Sequence, residues 1–434
     1  MTHSRNLNSP YDSLIFPYIL RNNSQYRKRF HISNYHEFKV NFISGTEIPV
    51  KYDFLYDQRY EKKLQRLVEL ETKILPQSNV GELIEKLYKA KIVEKRKLLM
   101  LVRSAYEAQA NTTGGSEAAH MFNQLTKEVF GAPSLDVFRQ LMSTINDDIS
   151  SVGWESKNSE AYHRFSQIAL ASEGESTITK FTPAPRKDLS DHSSFVSEAN
   201  EVVAFFKGKM LALGLHDWAV QISDKPIESF RVYGKRKVLL VPKTSVIKSR
   251  KNERRLSIDV MEGLFAHEVL THVIRGVNGA QSGLLLLSHG LAGYLPGEEG
   301  IATFREQQYS SAKDYAGKTM YLALGLAYGL DRNGQPRTFR EVYEILSDYF
   351  TLKFGGFSKK VQAKAFVTCA RIFVVSPHQN IPLIFTRDIV YREGNIAINT
   401  AVQADDTLLE IFDVGKFNPV NTEHVAILKS LNII

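Results

Sequence analysis

Apolar positions recur with helical spacing in VGELIEKLYKAKIVEKRKLLMLVRSAYEA (80–108), where Leu83, Leu87, Val93, Leu98, Leu101 and Val102 define one face and charges fill the other. That pattern predicts helix from about 58 to 110. Residues 36–56, HEFKVNFISGTEIPVKYDFLY, alternate and are rich in β-formers, which predicts two strands turning at SGTEIP. Two short helices are expected in 116–150, split by GAPS, with Ser134 as the N-cap before LDVFRQLM. The stretch SEGESTITKFTPAPRKDLSD is polar and carries two prolines, which marks 156–192 as a linker region. Beyond it, SSFVSEANEVVAFFKGKMLALGL reads as an amphipathic helix ending at Gly214, and WAVQISD, SFRVYG and KVLLVP read as three short strands. Past residue 254 the chain is mostly helical, with glycine punctuation and no internal repeat. The expected fold is α+β and mostly helical, with a small antiparallel sheet. Its organisation would be a mainly helical N-terminal lobe with a short hairpin (1–155), the linker (156–192), and a second lobe (193–434).

Composition narrows the class. A chain of 434 residues can bury a large core and form two lobes. Its single cysteine allows no internal disulfide and points to a reducing compartment. The N-terminal MTHSRNLNSPYDSLIF lacks the basic-then-apolar order of a signal peptide, and the longest apolar stretches are too short to span a bilayer. The expectation is a cytoplasmic protein without a membrane partner. The formal charge of +8 is concentrated: residues 231–255 hold ten Lys or Arg against one acid, Glu253, a net +9. Such a stretch reads either as a solvated strand edge or as a positive rim that receives an anionic substrate. Zinc-finger spacing and aromatic-interleaved basic motifs are missing, which argues against nucleic acid.

Directly after the basic stretch comes LFAHEVLTHVIRG (264–276). Two histidines and a glutamate suit a metal-dependent hydrolase, since imidazoles hold the ion and a neighbouring carboxylate moves protons. The spacing is one residue too long for a regular helix. An i, i+4 pair lies about 40° apart around the axis, an i, i+5 pair about 140°. A π-type turn absorbs the extra residue and brings His267 and His272 to one face. A third ligand is then required, and GLAGYLPGEEGIATFREQQ offers Glu298 or Glu299 at the start of a new helix. Core or surface histidines, and simple helix-start carboxylates, are the alternatives.

HEVLTH, VNGAQ, GLAGY and EEGIA, in that order, resemble the tyrosine/phenylalanine carboxypeptidase-like family. Its animal members include a microtubule-associated tyrosine carboxypeptidase, and its bacterial members carry the label of flavohaemoglobin expression-modulating QEGLA motif proteins. The family pattern is H-E-x-x-x-H followed by Q-E-G-L-A. This chain has Glu298 and Ile301 where the pattern has Gln and Leu, and keeps the glutamate before the glycine at Glu299. The segment ARIFVVSPHQNIPLIFTRDIVYREG is similar to the family's R-x-x-R-G…F-T-K-D-x-x-Y through Arg371, Phe385, Thr386, Asp388 and Tyr391. Arg387 stands there in place of Lys, and the arginine-glycine part is replaced.

The resemblance implies a zincin-like metallopeptidase holding one Zn2+ per chain, with the small sheet beside the active-site helix. By it, His267, His272 and Glu299 are metal ligands and Glu268 is the general base and acid. The implied reaction removes a C-terminal, aromatic residue from a peptide or protein tail, an acidic one if the basic stretch serves as its rim. A free terminal carboxylate is best held by arginine. Arg371 and Arg387 come forward from the matched segment, Arg254 or Arg255 from the basic stretch, and Tyr391 or Tyr294 as donors to the oxyanion. The competing reading is a regulatory or binding protein with a zinc-stabilised scaffold. Glu268 separates the two, because a structural zinc site has no use for a carboxylate beside its ligand and closes the fourth position with protein.

Overall fold

The computed structural model describes residues 30, 32–46, 48, 50–52, 58–74, 81–109, 115–151, 157, 159–183, 195–225, 227, 229–250, 255–374 and 381–434. The chain is mostly helical with small sheets, the α+β class expected. It divides into two compact units that interleave along the sequence, whereas composition places one break at 156–192. One unit comprises residues 1–8, 181–316 and 393–434, the other 9–180 and 317–392. Within 156–192 the described residues include a helix, Glu160–Ala171, capped by Ser159.

The second of these units is helical almost throughout. Its longest helix, Glu82–Gln109, packs on Gly115–Phe130. The buried stripe of Glu82–Gln109 runs through Ile84, Leu87, Ile92, Leu98, Leu101 and Val102. Leu83 is exposed and Val93 half-buried, so the N-terminal half is rotated by one residue from the expected face. The helices on either side of GAPS form as expected, and the Ser134 hydroxyl accepts from the Val137 amide. The first half of the hairpin expected at 36–56 is a helix instead, Tyr35–Ile43, and residues 47, 49 and 53–56 of the second half lie outside the described ones. Alternation there is overridden by packing. Phe38 and Phe42, one helical turn apart, meet Phe339, Phe366 and Tyr343 edge-on or tilted, with centroids 4.9–6.2 Å apart. Only an isolated bridge, Ile32 to Tyr52, remains of the strand pairing among the described residues.

The other unit carries the HEVLTH segment. The helix expected before Gly214 spans Ala199–Ala212, and Gly214 takes the left-handed φ of 76° that ends it. Three strands follow: β1 (Ala219–Ile222), β2 (Arg231–Tyr233) and β3 (Val238–Val241). Their spatial order is β1-β3-β2, with β1 parallel and β2 antiparallel to β3. The sheet is therefore mixed, not antiparallel, and VLLV is its central strand. Helices α1 (Ile258–Phe265) and α2 (Ile274–Gln281) are joined without a break by a π-helix, Ala266–Val273. The π-helix packs against β2 and against α3 (Leu295–Gln307). Phe206, Leu239, Val241, Phe265, Val269 and Val273 form one apolar cluster under the sheet.

Helix α3 is held by backbone contact. A Cβ at Gly300 would lie 2.4 Å from the Gly394 carbonyl oxygen, and one at Gly394 would lie 2.2 Å from that of Pro296. The glycine after Glu299 is thus a packing requirement: any side chain there moves the helix that carries the glutamate. Gly300→Ala is expected to cost the about 1–3 kcal/mol of an overpacked core, read as a lowered denaturation midpoint.

Candidate metal centre

The π-helix does what the i, i+5 spacing demands. The Ile274 amide donates to the Val269 carbonyl, five residues back, and the Thr271 hydroxyl donates to the Ala266 oxygen at 3.0 Å. The widened turn also receives an outside donor, since Arg305 on α3 reaches the Leu270 carbonyl oxygen at 2.6 Å and pairs with Asp413 at 2.9 Å. In consequence the His267 and His272 rings share one face, with centroids 5.2 Å apart.

Glu299 completes the group. One donor atom from each of His267, His272 and Glu299 lies within 4.8 Å of the others. The Glu299 carboxylate is 4.0 Å from His267 Nε2 and 3.9 Å from His272 Nε2, too far for hydrogen bonds. The two glutamate–histidine distances are close to the roughly 4 Å at which donors can share an ion with bonds of about 2.0–2.2 Å, so Glu299 and the rings suit a zinc-sized cation. Of the two candidate glutamates, Glu299 faces the two Nε2 atoms, and Glu298 faces the back of the His272 ring.

Both rings are held from behind by carboxylates. His267 Nδ1 bonds Glu306 at 2.8 Å, and His272 Nδ1 bonds Glu298 at 2.9 Å. A protonated Nδ1 on each ring leaves Nε2 as the donor toward the centre. Glu298 is buried and also pairs with Arg275 and, at 3.0 Å, with Lys416. Burial alone would raise its pKa; Lys416, Arg275 and His272 outweigh it and hold the carboxylate far below the ordinary range. At His267, burial disfavours the charged ring, but the Glu306 hydrogen bond and the charges of Glu306, Glu268 and Glu299 push its pKa up to about 10. This pocket has an excess of carboxylates and attracts positive charge. Glu268 is pushed up by burial, with the two histidines opposing and Glu299 and Glu306 assisting.

Four residues of this arrangement are not among the expected site residues. Glu306 is seven residues, two helical turns, after Glu299, and that spacing was visible. Arg275, three residues after His272, was visible in the same way. Arg305 and Lys416 act across the fold and leave no local signal.

Arg371, Arg387 and Tyr391 belong to the unit of residues 9–180 and 317–392, not to the one that holds the histidines. Arg371 forms a two-pronged pair with Asp388 and lies 5.9 Å from the Tyr391 ring centre, while Arg387 is 3.7 Å from the same Asp388. Tyr294 precedes the first turn of α3. Arg254 falls outside the described residues, and Arg255 stacks on Phe195 at 3.8 Å. The basic stretch is partly neutralised, since Lys248 pairs with Glu198 and Lys237 with Asp217. Among the described residues no helix is long and apolar enough to cross a membrane.

No curated protein and no solved structure matches the chain. The model of one family, described as microtubule-associated tyrosine carboxypeptidase, matches residues 59–434, from the first helices of one unit through the histidines, Glu299 and Lys416 to the last residue. With most of its length covered, the chain belongs to the microtubule-associated tyrosine carboxypeptidase family.

Proposed function

We propose that the protein is a zinc-dependent, zincin-like carboxypeptidase that removes a C-terminal aromatic residue from a peptide or protein. The observation that carries this reading is the convergence of His267, His272 and Glu299 within 4.8 Å, with Glu268 beside them on the same widened turn. A zinc ion held by these three would polarise the scissile carbonyl and acidify a water. Glu268 then takes the proton from the attacking water and passes it to the departing amine. Glu306 and Glu298 keep the two rings oriented throughout. A purely structural site gives Glu268 no role, which favours the enzyme over a zinc-stabilised regulator. The single cysteine, Cys369, is buried, in keeping with a reducing compartment.

An extended substrate needs a free strand edge, and VLLV, paired on both sides, offers none. Of the two outer strands, β2 packs against the π-helix and is the one placed to pair with a peptide by backbone hydrogen bonds. The exposed Lys235 and Arg236 that follow it would attract acidic tails. Cleavage of acidic peptides is then expected to fall steeply with salt, since exposed charges are screened within about 8 Å at physiological ionic strength. Replacing both residues with Ala should raise KM and leave kcat nearly unchanged. Retained salt dependence in that variant would locate the steering charge elsewhere. The function itself is tested with a peptide library: C-terminal shortening, lost on chelation and restored by zinc, supports the proposal. Shortening from the N-terminus, or internal cleavage, overturns it.

A further inference from the structure

The C-terminal segment that follows Phe412 runs against α2 and the short helix Leu286–His289. Its backbone is pinned on both sides of one residue: the Lys416 amide donates to the Leu287 oxygen at 2.8 Å, and the Leu291 amide donates to the Lys416 oxygen at 3.0 Å. Glycines clear the way. A Cβ on Gly415 would lie 2.9 Å from Leu287 Cβ and 3.3 Å from Gly279 Cα, and one on Gly276 would lie 3.4 Å from Lys416 Cε. Through this passage Lys416 Nζ reaches Glu298 Oε1 at 3.0 Å, the same oxygen that bonds His272 Nδ1 at 2.9 Å. The other oxygen, Oε2, is taken by Arg275, whose second nitrogen donates to the Phe417 carbonyl at 2.7 Å.

Each end of the Glu298 carboxylate is therefore fixed by the segment, one directly by Lys416 and one through Arg275 and Phe417. We propose that Lys416 is a positioning residue for the metal centre: it sets Glu298 Oε1, and Glu298 in turn holds the His272 ring with Nδ1 protonated and Nε2 turned toward Glu299. The inference rests on the metal-site reading above for its first readout and is independent of it for its second.

The first readout is zinc affinity, by competition with a chelating dye. Lys416→Met is expected to weaken binding about ten- to hundredfold, the range for residues that orient a ligand from behind, and Lys416→Arg should recover most of it. Adding Lys416→Met to Glu298→Ala should cause no further loss, because the effect passes through Glu298. The second readout is the His272 tautomer in zinc-free protein, followed by nitrogen NMR: Nδ1–H in the parent, a mixture of tautomers in Lys416→Met. If Lys416→Met does not fold, Lys416→Gln carries the same expectations. Parent-like affinity and tautomer in the variant overturn the proposal, as does a loss that persists undiminished in the Glu298→Ala background. A parent that binds no zinc sinks the metal reading instead, and the tautomer measurement still decides the role of Lys416.

Discussion

Glu268→Gln is expected to lower kcat by several orders of magnitude while zinc content and thermal stability stay close to those of the parent. Gln is nearly isosteric with Glu and keeps the packing around the π-helix, so the fold has no reason to respond. What disappears is the ability to accept a proton and give it back. Proton transfer by a positioned group supplies typically 10²–10⁴-fold by itself, and a residue that serves both the attack and the departure loses both contributions. Steady-state kinetics on a C-terminal aromatic peptide, with metal analysis of the same preparation, reads the result. Turnover within tenfold of the parent would transfer the catalytic role away from Glu268.

The second large effect concerns the ligands. His267→Ala or His272→Ala should reduce zinc from about one per chain to near zero and abolish peptidase activity, while either chain still folds. Two of three ligands are too few for a site of this kind, which needs three protein donors and one open position. Stability should fall as well, because each imidazole is also bonded to a carboxylate behind it, Glu306 or Glu298. For His272→Ala the fall should be the larger, since buried Glu298 loses a hydrogen-bond donor, whereas Glu306 is partly exposed to water. Elemental analysis of freshly purified protein measures the first part and thermal melting the second. A histidine variant that retains a full zinc complement would disprove the ligand assignment.

How much of this was legible from residue order differs by region. The π turn was legible because its signal is local: His267, Glu268 and His272 lie within six residues, and an i, i+5 pair can share one face only on a widened turn. The helices flanking GAPS were legible because turn residues and a serine cap mark their ends. The hairpin expected at 36–56 failed because Phe38 and Phe42 find partners more than 290 residues away, and such packing overrides β-propensity. The place of VLLV in its sheet was hidden for a related reason. Strand order depends on the parallel pairing of β1 with β3, and nothing in either segment announces it. Lys416 was invisible because it meets Glu298 only through the fold.

The π-helix has a consequence for kinship. A single widened turn lodges one additional residue and lets the helix on either side continue as though that residue were missing. Seen from its neighbours, the stretch from Ile258 to Gln281 is a helix one residue shorter than its sequence. Seen as text, it carries an insertion between two histidines, where a pattern search for H-E-x-x-H tolerates none. Two chains could thus present the same three donors on the same scaffold and yet share no recognisable motif. Their common ancestry would have to be traced by superposing donor atoms, with the gap placed inside the most chemically constrained turn of the molecule.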